Sequence, residues 1–225
     1  MKPELKEIVR SFDLQPAPDD PDFTHRGTLG TWSVATLVTG MGPEKARIAT
    51  RRALDAGPAD HVMVIGIAGG LSPELPVGAL QVPETVQLYP DGPRFTTRPL
   101  PARRAAGALM TTDGLFDDEE VWKPILEKGF GAVDMEAAGV AEVCEADHVD
   151  WSIYRGISDR PDERIVDQAV FGLSKPDGSA DPVAVAKYLA RDPRRAKALA
   201  HLNRCMQAAA RLAADAARED LLATD

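Results

Sequence analysis

The chain predicts an α/β fold, a single domain over residues 1–225 in which strands alternate with helices. Three observations carry this. Short apolar runs at 61–67, 108–112 and 153–157 stop at glycine, threonine or serine–aspartate, as buried strands do at a turn. Between the last two runs, Ala137, Val140, Ala141 and Cys144 fall at i, i+3, i+4 and i+7, which is one apolar helix face. Asp181-Pro182 and Asp192-Pro193 each pair an N-cap with proline at a first helical position. With 225 residues and 44% hydrophobic content, the chain can bury one substantial core.

In chain order, residues 4–12 set Leu5, Ile8, Val9 and Phe12 on one face, a short amphipathic helix. Residues 15–22, rich in Pro and Asp, predict a loop. A strand at 32–39 leads to Gly40-Met41-Gly42, which turns the chain into a helix with Pro43 in its first turn, ending at 56. The glycine pair is either a plain tight turn or an anion seat at a helix N-terminus. A dinucleotide fingerprint would need a third glycine. The run 61–67 is nearly all apolar and predicts a parallel strand covered on both faces. The following Gly66-Ile67-Ala68-Gly69-Gly70-Leu71 predicts positive φ and close approach of a ligand to the backbone. Residues 78–83 and 85–88 read as short strands, a candidate hairpin, and 90–104 as a polar surface excursion. The strand at 108–112 closes on Thr111, Thr112, Asp113 and Gly114, and the helix at 119–128 carries an internal Pro124. Residues 160–179 read as a mobile loop. The last helix, begun by Asp192-Pro193, has Leu199, Leu202, Met206 and Ala209 as its buried stripe.

A net charge of −9 and a pI near 5.0 argue against a nucleic-acid or anionic-membrane partner, both of which require a basic field. Two cysteines, each in a helical apolar pattern and without CxxC spacing, point to a reducing cytoplasm, with neither disulfide nor zinc. The histidines lack ligand spacing, so neither metal nor cofactor is expected. Residues 1–10 carry five charges and no apolar core, unlike a signal peptide, and no apolar run reaches membrane-spanning length.

The functional signal concentrates at 133–159. Asp134 and Glu136 follow one apolar strand end, and Asp159 closes another beside Ser158. Ligands bind at the carboxyl ends of strands in open α/β sheets, so the three acids are candidates for one crevice. The alternative for Asp134 and Glu136 is that they only face the positive end of the following helix.

Together, Gly66-Ile67-Ala68-Gly69-Gly70-Leu71, Asp134-Met135-Glu136-Ala137-Ala138 and Arg155-Gly156-Ile157-Ser158-Asp159 resemble the signature segments of the purine nucleoside phosphorylase and nucleosidase superfamily, nearest to the methylthioadenosine/S-adenosylhomocysteine nucleosidases. The resemblance runs from about Trp32 to Asp159. It implies a central mixed β-sheet flanked by helices and hydrolytic release of the base from a purine nucleoside, in a homodimer without cofactor. By matching position, Glu136 would bind the ribose hydroxyls with Met135 beside the sugar, and Asp159 would protonate the leaving base. Ala68, Gly69 and Ser158 join the substrate contacts. The 5′ group would meet an apolar loop that includes Phe171. The chemistry is coherent on its own terms, because cleaving an N-ribosidic bond through an oxocarbenium-like state needs an acid for the leaving group and a base for water.

One departure matters. Family members open with a strand and glycine turn before the acidic run that supplies the water-activating Glu. Here Met1-Lys2-Pro3-Glu4-Leu5 resembles that run with the first strand absent, through loss or a start placed downstream. Glu4 is then the candidate base, or merely an acid on a surface helix. A missing strand exposes a sheet edge and weakens the core, and chain ends are poorly ordered unless tied down, so a frayed Glu4 and weak turnover are expected. Three rivals stand beside hydrolysis. Phosphorolysis would need cations that the segment 64–67 lacks. A nucleoside-binding homologue would lack the base. A dinucleotide-binding dehydrogenase would rest only on Gly40 and Gly42.

Overall fold

The computed structural model describes residues 2–116, 118–163, 165–175 and 177–224; Met1, which opens the acidic run, lies outside them. The elements are α1 (Lys2–Phe12), β1 (Gln15–Pro16), β2 (His25–Leu29), β3 (Trp32–Thr36), α2 (Pro43–Ala56), β4 (His61–Gly70), β5 (Leu80–Gln81), β6 (Thr85–Leu88), β7 (Arg94–Thr96) and β8 (Ala108–Thr111). They continue with α3 (Glu119–Glu127), β9 (Phe130–Asp134), α4 (Ala137–Ala146), β10 (Asp150–Asp159), α5 (Gln168–Phe171), α6 (Pro182–Arg191) and α7 (Arg195–Leu222). Seven strands make one mixed sheet in the order β5-β10-β4-β9-β8-β6-β7, and β1-β2-β3 make a separate antiparallel one. The mixed central sheet flanked by helices is as the sequence resemblance implies.

The period of two along β4 explains its two helix layers. Val62, Val64 and Ala68 pack with Ala46 of α2 and with Ala138, Val140 and Ala141 of α4. Met63 and Ile65 turn the other way, against Phe12 of α1, Tyr154, and Ala213 and Ala217 of α7. β10, sandwiched by the same layers, is buried from Trp151 to Ser158, and full burial of Ile153 or Ile157 is worth about 1.5–3 kcal/mol each. Two glycines let the layers close. A Cβ at Gly139 would strike the carbonyl of Pro43 where α4 meets α2, and one at Gly156 would strike the backbone of Ala209 where α7 crosses β10.

Several local expectations are corrected. The segments at 78–83 and 85–88 do not pair with each other: β5 pairs β10, and the hairpin is β6 with β7, drawn from the predicted surface excursion. Gly66, Gly69 and Gly70 are absent from the positive-φ residues, whereas Gly40 and Gly42 have φ of 83° and 107°. The glycines after residue 65 therefore serve close approach, and Gly40-Met41-Gly42 is the tight turn. Asp181 caps α6 as predicted, but α7 starts at Arg195, with the Asp192 carboxylate accepting the Arg194 N–H outside the helix. Its buried stripe lies further along than predicted. Leu202 and Ala209 belong to it, Leu199 and Met206 are only half-buried, and alanines 210, 213, 214, 216 and 217 complete it. Within 160–179 lie the short helix α5 and a bridge between Ser174 and Ala180.

Gly156→Ala should therefore cost about 1–3 kcal/mol by overpacking, a fall in Tm of roughly 2–12 °C at this chain length. Gly57→Ala, with extended backbone at φ 170° and open space at its Cβ, should stay within about 0.5 kcal/mol. Equal melting temperatures for the two variants would contradict the packing assigned to Gly156.

Candidate active site

Register brings the acids together. Arg155 of β10 lies opposite Gly66 of β4 in parallel pairing. β9 meets β4 antiparallel at Val133–Gly69, so the chain after it runs back along β4 toward Gly66. Asp134 and Glu136 thus arrive beside Arg155, which is 3% exposed. The Arg155 Nη2 donates to the Asp134 carboxylate and to Glu136 Oε2 at 3.2 Å, while Nη1 lies 3.9 Å from Glu4 Oε1. Gly66 has no side chain because one would occupy the space of the Glu4 carboxylate and the Arg155 guanidinium.

Each acid is held differently. Asp134 is buried and accepts the Thr111 hydroxyl at 2.6 Å and the Ala137 N–H at 3.0 Å. For this residue the helix-start reading is part of the truth. Glu136 occupies the N-cap position of α4 but makes no side-chain cap bond. Its carboxylate faces Arg155 and the cavity instead. Glu4 is not frayed: it is 5% exposed on α1, and the Ile67 N–H donates to its Oε1 at 2.9 Å. α1 packs on α7, and Lys2 Nζ reaches Asp177 at 2.8 Å, so tertiary contacts supply the order that the sequence reading denied this end.

Glu4, Glu136 and Arg155 line one end of a cavity of about 680 Å³. Asp159 does not line it. It ends β10 opposite Gly69, and its carboxylate accepts the Ser158 hydroxyl. Met135 is half-buried between Asp134 and Glu136, Ala68 is buried in β4, and Phe171 is half-buried at the end of α5. None of these three lines the cavity either. Arg155 was read in the sequence only as part of a motif. The signal available there was a lone basic residue inside a strand too apolar to hold it without acids nearby.

The electrostatics follow from one cation among three carboxylates. Burial would lower the Arg155 pKa, but Asp134, Glu136 and Glu4 hold it above its ordinary value. Burial raises Glu136 to about 7; Arg155 pulls against this, and Asp134 and Glu4 add to it. Asp159 is likewise raised by burial, against the lowering bond from Ser158 and with a small push from Glu163. Cys144 is buried and pushed up to about 12, an inert thiol.

A raised carboxyl pKa means the folded state holds a proton that the unfolded state has already lost. Between pH 4.5 and about 7 folding takes up that proton, so the Glu136 contribution to stability falls as pH rises through this window and is flat above it. Glu136→Gln should remove the fall and make the variant relatively more stable at pH 8 than at pH 5, by up to about 3 kcal/mol. Parallel stability–pH curves for the two proteins would refute the shift.

Known proteins resemble this chain in part of its sequence and in its fold. The family model described as "Phosphorylase superfamily" matches residues 1–105. A 5′-methylthioadenosine/S-adenosylhomocysteine nucleosidase of Anoxybacillus flavithermus is 28% identical over 165 residues, 60% of this chain and 71% of that protein. A futalosine hydrolase of Streptomyces coelicolor is 34% identical over 119 residues, 49% of this chain and 45% of its own length. Among solved structures, the Neisseria meningitidis methylthioadenosine/S-adenosylhomocysteine nucleosidase in complex with methylthio-immucillin-A superposes with a TM-score of 0.71 at 19% identity, covering 99% of this chain and 96% of that one, a likeness of fold. The chain is thus similar to the phosphorylase superfamily in sequence over residues 1–105 and to a methylthioadenosine/S-adenosylhomocysteine nucleosidase in fold.

Proposed function

We propose that this protein hydrolyses the N-glycosidic bond of a purine nucleoside of the methylthioadenosine or adenosylhomocysteine kind. The observation that carries the reading is the buried Glu4–Arg155–Glu136 cluster at one end of the cavity, with Asp159, raised by burial, at the end of the strand that carries Arg155. Glu136 would accept the 2′- and 3′-hydroxyls of the ribose beside Met135, and its charge would stabilise positive character growing on the sugar. Glu4 would take a proton from the attacking water. As the water oxygen bonds to C1′, the C1′–N bond breaks and its electron pair leaves with the purine, which takes the Asp159 proton. Ser158 would orient Asp159, and the Ala68–Gly69 backbone and Phe171 would complete the base and 5′ contacts. Arg155 would fix the two glutamates. Relatives whose names carry nucleosidase or hydrolase activity support this reading.

Phosphorolysis is less favoured. The Gly40-Met41-Gly42 turn faces an acid, because Asp113 Oδ1 lies 3.0 Å from where a Gly42 Cβ would stand. A buried anion needs charge-assisted donors, and Arg155 is already engaged by carboxylates. The finer expectations, a single domain over 1–225, a cytoplasmic homodimer and binding without cofactor, form part of the proposal. Free Cys144 and Cys205 suit a reducing compartment, and among the described residues no helix is long and apolar enough to cross a membrane.

Purified protein should release free base from 5′-methylthioadenosine or S-adenosylhomocysteine equally well with and without phosphate, read by chromatography. A strict phosphate requirement would replace hydrolysis with phosphorolysis. Asp159→Asn keeps volume but has no acid proton, so kcat should fall by about 10²–10⁴; near-normal turnover would remove Asp159 from the acid role. Glu136→Gln should weaken ribonucleosides by roughly 1.5–3 kcal/mol relative to 2′,3′-dideoxy analogues. Equal losses for both would leave Glu136 a structural acid.

A further inference from the structure

β10 falls out of step with β4 at the candidate acid. From Asp150 to Ile157 the two strands advance together, but between Ile157, opposite Ala68, and Asp159, opposite Gly69, β10 moves two residues for one of its partner. Such a bulge re-aims the side chain beside it and interrupts the ladder. Here it sets the Asp159 carboxylate over Gly69, with Oδ2 3.7 Å from where a Cβ would stand. On one side of the bulge the backbone is held, because Ile157 donates to the Ala79 carbonyl and accepts the Gly78 N–H, both at 2.8 Å. On the other side stands Arg160.

Arg160 opens a turn in which Asp162 and Glu163 are exposed, yet its own side chain is only 13% exposed. Its Nη1 donates to the Ser72 carbonyl at 2.6 Å and reaches the Leu75 carbonyl at 3.5 Å. Nε and Nη2 hold the two carboxylate oxygens of Asp162 at 2.9 and 3.1 Å. The turn that receives Nη1 is itself fixed. The Leu71 and Ser72 N–H groups both donate to the Gly131 carbonyl, near the start of β9, at 2.8 and 3.0 Å. Gly70 makes room for the crossing, since a Cβ there would come within 2.7 Å of the Leu75 carbonyl oxygen. An arginine that only decorated a surface turn would keep its head in water. This one crosses to carbonyls 88 and 85 residues away in the chain, and its planar fork can hold them and Asp162 at once.

We infer that Arg160 is a positioning residue for the acid: it clamps the end of β10 to the turn after β4, holds the bulge, and so fixes where the Asp159 carboxyl presents its proton. The inference rests on the nucleosidase reading, in which Asp159 protonates the leaving purine. Arg160 acts through the backbone, because a guanidinium keeps its own protons. Loss of the clamp would leave Asp159 in place in the sequence but free to swing with the turn that follows it.

The test is a double-mutant cycle on the full chain, with 5′-methylthioadenosine as the probe and base release as the readout. Arg160→Met keeps the stem and removes every donor. It should lower kcat by about 10²-fold, as displacement of a catalytic group does, and leave KM near wild type because the ribose contact at Glu136 is untouched. Asp159→Asn should cost about 10²–10⁴-fold, and the double variant should be no slower than Asp159→Asn alone, since the clamp then has no acid to aim. Arg160→Lys, which can hold one carbonyl but not the fork, should recover part of the loss. Normal turnover by Arg160→Met, a loss confined to KM, or losses that multiply in the double variant would overturn the inference and leave the acid assignment standing. Failure of both Arg160 variants to fold would make the residue a structural staple and overturn it too. Near-normal turnover by Asp159→Asn, or no base release by the wild type, would instead sink the nucleosidase reading, and the inference with it.

Discussion

A guanidinium removed from water must be surrounded by acids, and most of the site follows from where this sequence puts that guanidinium. Arg155 sits mid-strand in β10, 3% exposed. Leaving it unpaired would cost several kcal/mol, so β9 delivers Asp134 and Glu136 to it and α1 delivers Glu4. Gly66 is small because two of these groups occupy its side-chain space. Thr111 and the α4 N-terminus then hold Asp134, leaving Glu136 as the member of the set with least local support. An acid so placed is available to something else that enters the crevice.

The division of proton chemistry has the same origin. Glu136 and Asp159 are both raised by burial, but their neighbours differ. Glu136 shares a cation with two other acids, so its proton is set by the charge balance of the cluster. Asp159 has a hydroxyl and little nearby charge, so its proton is set by desolvation. The two carboxyl groups therefore respond to different changes: Glu136 to the charges of Arg155, Asp134 and Glu4, and Asp159 to solvent access.

Much of this was legible in the residues. The buried strands β4, β8 and β10 are apolar runs, and Pro43, Pro124 and Asp181-Pro182 mark the helices as read. The convergence of Asp134 with Glu136 was legible too, because both follow one strand end. What was missed depends on partners distant in sequence. β2 reads Arg26-Gly27-Thr28, with no apolar alternation, and exists because β3 pairs it. β5 and β6 look like one hairpin locally, but pair at opposite ends of the sheet. The buried stripe of α7 is alanine, which carries little hydrophobic signal but allows the close approach to Gly156. Glu4 has no local feature that distinguishes it from a solvated helix acid. The Ile67 amide and Arg155, both distant in sequence, are among the groups that hold it.

Glu4 also joins the two halves of the cavity. Its carboxylate takes the Ile67 amide of β4, between Gly66 and Gly69, and the same oxygen lies 3.9 Å from Arg155 Nη1. The edge of β4 and the acid cluster are therefore one electrostatic unit. A backbone N–H held by a carboxylate is a stronger bond than one held by a carbonyl, so the edge is better satisfied at Ile67 than at Met63 or Ile65. The position of the candidate base thus depends on sheet order at the point where pairing on that side of β4 is least complete. Order in that edge and alignment of the base are set by the same contacts.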